Sequence, residues 1–378
     1  MMTSPVPAER NDAALETLIL PFVNGMLSWP AEGALFLRAR DGWPLHQRPL
    51  PGLVCEQSFK PDVDALQRSG CEVHTTRDSE IGKTFPLVLV LPPRQRDEAR
   101  ALFARALAHL QPGGTLVACS ANDEGAKSAE ADLARIAGPV STLSKNKCRV
   151  FWATPNQEKD QAGDAELAAR WRTLDAARAI ADGRFRSRPG VFAWDRVDMA
   201  SSLLVAQLPA DLAGRAADLG AGYGYLSAEL LERCPGIRTL DVYEAEARAL
   251  DLARENLAGL ASRVAIDYRW HDVTTGLPHT YDVIVTNPPF HAGSSAVRPD
   301  IGRRFIAVAA AALNPGGRLW LVANRHLPYE AVLNESFGNV RIVAQQQGFK
   351  IVEAVKAMPT KIRAAKPFNK ASLRNIER

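Results

Sequence analysis

Residues 283–293 read VIVTNPPFHAG, and residues 87–94 read LVLVLPPR. Each is an apolar run of strand character that stops at a double proline, and each is followed by the same punctuation. After Arg94 comes an amphipathic stretch from Asp97 to Leu110, then Pro112-Gly113-Gly114-Thr115-Leu116-Val117. After Phe290 comes a helical stretch from Ile301 to Leu313, then Pro315-Gly316-Gly317-Arg318-Leu319-Trp320. Strand, double proline, helix, Pro-Gly-Gly and strand therefore occur twice in one chain. Strands alternating with helical patterns predict parallel sheets covered by helices on both faces. The expected fold is α/β, in two tandem units. The competing account is coincidence, because Pro-Gly-Gly turns between helix and strand are frequent.

The two copies are not equivalent. The first has Leu91 where the second has Asn287, and nothing ahead of it matches the glycine-rich run from Asp218 to Gly224. The N-terminal unit reads as a worn copy without the groups for cofactor or chemistry, retained for scaffolding or substrate binding. Between the copies, Pro155 to Pro189 is a charged, helical-looking run with Leu167, Trp171 and Leu174 at i, i+4 and i+7, broken from Gly183 to Gly190. The boundaries expected are a first unit over 1–155, a linker over 156–189, a second unit over 190–357 and a tail over 358–378. Arg184, Arg186 and Arg188 in the linker either face RNA or, more simply, are solvated.

Composition excludes several classes. With 46% hydrophobic and 23% charged residues in 378, the chain is neither disordered nor membrane-like, and its length suits two domains. The apolar-leaning segment from Leu18 to Phe36 is interrupted by Asn24, Pro30 and Glu32, with no basic stretch before it, so no export signal or anchor is expected. The five cysteines are scattered without a C-x-x-C pair, which implies neither a disulfide framework nor a metal site and suggests a reducing, cytoplasmic setting. The net charge of +4 is mild, but Lys356, Lys361, Arg363, Lys366, Lys370, Arg374 and Arg378 face a single acid, Glu377. Such a tail either neutralises phosphates or is a solvated aid to solubility.

Ala216-Ala217-Asp218-Leu219 reads as the end of a buried strand, and Gly220, Gly222 and Gly224 follow before a helix beginning near Tyr225. Glycines permit the dihedrals of a tight turn and let a ligand approach the backbone. The dinucleotide pattern G-x-G-x-x-G is not satisfied, because the third glycine comes one residue early. The D-x-G-x-G-x-G form resembles motif I of class I S-adenosylmethionine (SAM) methyltransferases. The next strand, Thr239 to Tyr243, ends at Glu244, where a carboxylate can accept hydrogen bonds from both ribose hydroxyls; Glu246 is the weaker candidate. After a third strand, Val264 to Tyr268, comes Asp272, which by analogy takes the adenine amino group or else is an ordinary exposed acid at a strand end.

Asn287-Pro288-Pro289-Phe290 suits chemistry at a conjugated amine. Such a nitrogen is a poor nucleophile because its lone pair is delocalised into the ring. An acceptor for its hydrogens favours a pyramidal nitrogen and aims the lone pair; the Asn287 side-chain oxygen and the Pro288 carbonyl supply two. Prolines stiffen the loop and remove competing donors. Phe290 offers a face on which a flipped or unpaired base can stack. Positioning supplies most of the acceleration, so no general base is required.

From Pro189 to Ala357 the chain resembles the catalytic domain of the bacterial ribosomal RNA guanine-N2 methyltransferases of the RsmC and RlmG type. The residues that carry the likeness are Gly190-Val191-Phe192 with Asp195, DLGAGYGYLS from Asp218 to Ser227, NPPFH from Asn287 to His291, and ANRHLPY from Ala323 to Tyr329. The resemblance implies two tandem class I (Rossmann-like) methyltransferase domains, the first degenerate, with SAM as donor and N2 of a guanine in ribosomal RNA as acceptor. Of the two types the small-subunit enzyme is the expectation. Phe192 is implied to cap the cofactor and shape the substrate pocket, unless it is core. His291 and His326 flank the site and are assigned no role. The ribosomal RNA or subunit is the expected partner, for a monomer without membrane or metal. Adenine-N6 and protein-glutamine methylation use the same loop type, and a non-catalytic ribosome-assembly factor is the remaining alternative.

Overall fold

The computed structural model describes residues 12–75, 84–155, 163–289 and 299–359. In the first unit β1 (Ala34–Leu37), β2 (Leu53–Glu56), β3 (Glu72–His74), β4 (Phe85–Val90), β5 (Leu110–Ala121), β6 (Ser141–Lys145) and β7 (Cys148–Ala153) form one sheet in the order β3-β2-β1-β4-β5-β7-β6. A hairpin, β8 (Arg178–Ile180) and β9 (Phe185–Ser187), follows. The second unit then repeats the order as β12-β11-β10-β13-β14-β16-β15. Its strands are β10 (Ala213–Leu219), β11 (Gly236–Glu244), β12 (Ala265–Trp270), β13 (Tyr281–Thr286), β14 (Leu313–Asn324), β15 (Asn339–Gln346) and β16 (Phe349–Val355). In both sheets five strands are parallel and the last two close antiparallel. The tandem α/β reading is borne out.

The first sheet is covered by α1 (Ala13–Val23), α2 (Lys60–Arg68), α3 (Arg96–Ala108), α4 (Ala126–Ala137) and α5 (Ala165–Trp171), the second by α6 (Met199–Gln207), α7 (Tyr225–Arg233), α8 (Ala247–Leu257), α9 (Pro299–Ala312) and α10 (Glu330–Ser336). Because both faces are covered, the central strands read as unbroken apolar runs rather than alternating ones. Val88 and Val90 of β4 point into one core layer while Leu87 and Leu89 point into the other. Leu91, the counterpart of Asn287, continues that second layer and is 5% exposed. Hydrocarbon thus seals the place where the second unit keeps an amide.

The duplication reaches the backbone. Gly113 and Gly316 hold φ of 77° and 78°, and each sheet shows a register irregularity opposite them, at Phe85/Leu87 and Tyr281/Val283. A Cβ on Gly114 would come 2.9 Å from Pro86 O, and one on Gly317 3.1 Å from Tyr281 O. The second glycine of each pair is therefore needed where the strand crosses its neighbour.

Among the described residues of the run from 155 to 189, the α-helix is α5. Leu167 and Trp171 bury against the first core, with Leu174 partly buried beside them. The chain then makes a hairpin whose Ile180 and Phe185 enter the second core. The turn needs positive φ at Ala181, Asp182 and Gly183. The three arginines are ion-paired, Arg184 and Arg186 while still exposed: Arg184 pairs with Glu229 and Glu232, Arg186 with Glu255, and Arg188 with Asp175. Among the described residues no helix is long and apolar enough to cross a membrane, and no group of His, Cys, Asp or Glu is placed to hold a metal.

Candidate active site

β10 is the middle of the five parallel strands, hydrogen-bonded to β11 on one side and β13 on the other. At its end the chain turns through Gly220, Gly222 and Gly224 with φ of 74°, 57° and 91°. The N–H groups of Gly220 and Ala221 both donate to Tyr243 O (2.9 and 3.0 Å), and Gly222 N–H donates to Glu244 Oε2 (2.7 Å). The glycines have separate reasons. A Cβ on Gly224 would sit 3.2 Å from the Cα of Ala253, so this position lets α8 pack against the turn. A Cβ on Gly222 would meet nothing within 4 Å and would project into open space.

Four acids stand at or just beyond the strand ends. Asp218 is fully buried; its Oδ2 accepts from Ser227 Oγ (2.7 Å), while Oδ1 has no partner. Burial pushes its carboxyl up to about 7, with Glu244 adding to the rise. Glu244 accepts from Glu246 N–H (2.8 Å) as well as from Gly222, and burial raises its pKa despite those donors. Glu246 is otherwise engaged: burial works against its charge, but the Arg248 guanidinium beside it overrides this and brings it down to about 2. Asp272 caps a short turn, its Oδ1 accepting from Thr274 N–H (2.8 Å) and Oγ1 (2.7 Å). An open glycine cradle beside desolvated carboxylates, one oxygen of which lacks a donor, fits a ligand that brings positive charge and hydroxyl donors. SAM, expected from the resemblance, has that chemistry.

Beside this turn β13 delivers Asn287. Thr286 Oγ1 donates to Leu219 O (2.7 Å) and ties the two strand ends together. The Asn287 Nδ2 group donates to Asp198 Oδ2 (3.0 Å) and to Ser201 Oγ (3.0 Å). Asp198 is at the same time the N-cap of α6, accepting from Ser201 N–H (2.8 Å). With both amide hydrogens held, Oδ1 is left without a donor among the described residues. Pro288 is buried behind it and Pro289 exposed. Phe290 and His291 lie outside the described residues.

Asp198 and Ser201 escaped the sequence reading. Their Asp-x-x-Ser spacing ahead of an apolar run signals a helix start, but no local pattern says that the cap reaches a residue 89 positions on. Phe192 is 58% exposed, which removes the core reading; Val191 is the buried member of that pair. His326 is exposed.

A seven-stranded sheet in this order, with a glycine turn after β10 and Asn-Pro-Pro ending the neighbouring β13, defines a methyltransferase of class I architecture. Residues 182–353 match the family described as Methyltransferase small domain, and residues 56–171 match Methyltransferase small domain N-terminal. The chain belongs to the ribosomal RNA small subunit methyltransferase C family: the protein of that name from Shewanella amazonensis is 32% identical over 71% of this chain and 76% of its own length. The Escherichia coli K12 protein is 31% identical over 71% and 75%, and that of Psychromonas ingrahamii 29% over 75% and 80%. Among solved structures, the T. thermophilus 16S rRNA N2 G1207 methyltransferase (RsmC), in complex with AdoMet and guanosine, superposes with a TM-score of 0.73 at 24% identity, covering 93% of this chain and 94% of that one.

Proposed function

We infer that this protein methylates the exocyclic N2 of a specific guanine in small-subunit ribosomal RNA, with SAM as donor. The observation that carries the reading is the clamp on Asn287. An amide whose hydrogens are fixed by Asp198 and Ser201 presents its oxygen as an acceptor in one orientation, the arrangement that an amine nucleophile needs. The Pro288 carbonyl is the second acceptor, and neither Pro288 nor Pro289 offers a competing N–H. Phe290 provides the stacking face.

SAM supplies, when bound, an electrophilic methyl on a sulfonium. Gly220, Gly222 and Gly224 would cradle it, Glu244 would accept from the ribose hydroxyls, Asp272 from the adenine amine, and Asp218 would stabilise the loop and its positive charge, with Phe192 covering the pocket. The excess proton on the methylated nitrogen can leave after methyl transfer. The family names support the small subunit over the large. In this reading residues 190–357 catalyse, residues 1–155 hold RNA, residues 156–189 join them, the tail from 358 adds phosphate contacts, and the protein works as a cytoplasmic monomer.

Mass mapping of modified guanines in ribosomal RNA from cells lacking the protein tests this. One small-subunit guanine should lose its methyl group and regain it when the purified protein and SAM are supplied. If every guanine methyl persists, the reading fails.

A further inference from the structure

The two units meet at the ligand end of the second sheet, and backbone makes much of the contact. Lys60 N–H donates to Ala245 O (2.8 Å), Ala247 N–H donates to Ser58 O (3.0 Å), and Phe59 and Glu246 form an antiparallel bridge. Trp270, the last residue of β12, donates its indole N–H to Ala245 O (2.8 Å) and Ser58 O (3.2 Å). The Lys60 ammonium lies 5.5 Å from the centroid of the Trp270 ring. Residues 58–60 thus lay a short piece of strand along the turn from 244 to 247.

Ion pairs hold the same turn from behind. Arg248 donates to Glu98 Oε1 of α3 (2.7 Å) and to both carboxylate oxygens of Glu246 (2.9 and 3.0 Å), and Glu98 also accepts from Arg38 (2.8 Å). The Glu98 side chain is only 5% exposed, so little water competes with these partners. Gly190 packs against it so closely that a Cβ there would come 2.2 Å from Oε2.

The turn clamped on both sides begins with Glu244, and Glu246, the bridged residue, donates its N–H to Glu244 Oε1. We propose that the worn unit sets the position of Glu244, so that docking of the two units and binding of SAM are coupled, with Lys60, Trp270 and Glu98 as positioning residues that act through it. This rests on the reading of Glu244 as the ribose acceptor. Coupling of this kind is reciprocal: whatever fixes the turn aids SAM, and SAM tightens the docking.

Lys60 is the first residue of α2, and Phe59 before it is extended (φ −91°, ψ 114°). Proline is tolerated at such a position, so Lys60→Pro removes the N–H to Ala245 without breaking the helix. Lys60→Ala keeps that N–H and removes the ammonium, while Trp270→Phe keeps a ring and removes the indole donor. In the full-length protein, calorimetry should show SAM binding weakened about fivefold or more by Lys60→Pro and by Trp270→Phe, with Lys60→Ala nearer the parent. Methyl transfer to ribosomal RNA at saturating SAM should keep kcat within about twofold. SAM should also slow hydrogen exchange in the peptide 58–66, which belongs to the other unit; a merely structural contact would not respond. SAM affinity unchanged in both variants, or no protection at 58–66, overturns the proposal. Glu244→Ala separates the two readings: if it leaves SAM affinity intact, the ribose assignment falls, whereas a loss there without any effect from Lys60→Pro and Trp270→Phe defeats the coupling alone.

Discussion

Asn287 owes its orientation to two residues that make no bond to the reacting atoms in our account. Asn287→Ala should lower methyl transfer by about a hundredfold or more, with SAM affinity within about threefold by calorimetry; parallel loss of both would make the residue structural. Asp198→Ala should reduce kcat by about tenfold by freeing the amide, and should cost about 1 kcal/mol in denaturant unfolding for the lost cap of α6. Asp218 gives a pH signature. Its folded carboxyl lies at about 7 because burial raises it, against an unfolded value of about 4. The stability it contributes is therefore complete below about pH 4 and is lost as pH rises through about 7. Asp218→Asn should gain stability relative to the parent over that window, and the parent's affinity for cationic SAM should climb through about pH 7 while that of the variant stays flat. Parallel curves would show that Asp218 does not titrate there. At this scale the glycines, Glu244 and Asn287 were legible because each terminates an apolar strand. Asp198 and Ser227 were not, because their meaning lies in partners brought together by the sheet.

The turn after β10 separates packing from binding within three alternate positions. Gly222→Val, projecting into the open cradle, should abolish measurable SAM binding while costing about 1–2 kcal/mol for its positive φ. Gly224→Ala should show the reverse balance, a clear drop in Tm from the collision with Ala253 at 3.2 Å, and weaker SAM binding only as far as α8 shifts. Retained SAM affinity in Gly222→Val would contradict the cradle. Strands such as β4 and β13 could be read in advance because burial on both faces makes them continuous hydrocarbon. The hairpin of β8 and β9 could not: strands of three residues give too few repeats to reveal a period of two, and their arginines resemble a solvated helix face until Glu229, Glu255 and Asp175 are seen beside them.

Across the whole molecule, the repeated strand, double proline and Pro-Gly-Gly announced two sheets of one topology, and Leu91 in the place of Asn287 announced where the two strand ends differ. The backbone part of the seam between them left no trace in the sequence, since Ser58 O, Lys60 N, Ala245 O and Ala247 N carry no residue signature. The tail makes a separate prediction. Truncation after Ala357 removes six of the seven cations counted from Lys356, and should weaken RNA binding and flatten its dependence on salt concentration by a slope of about 2 or more; an unchanged slope would make the tail a solvated one. A unit with hydrocarbon where its sibling keeps an amide would, on its own, be free to drift. Here the carboxylate of Glu98, wedged between Arg38, Arg248 and Gly190, ties the first unit to the second. A saturation-mutagenesis screen for growth under ribosome stress should therefore find an island of intolerance in the first unit, centred on Glu98.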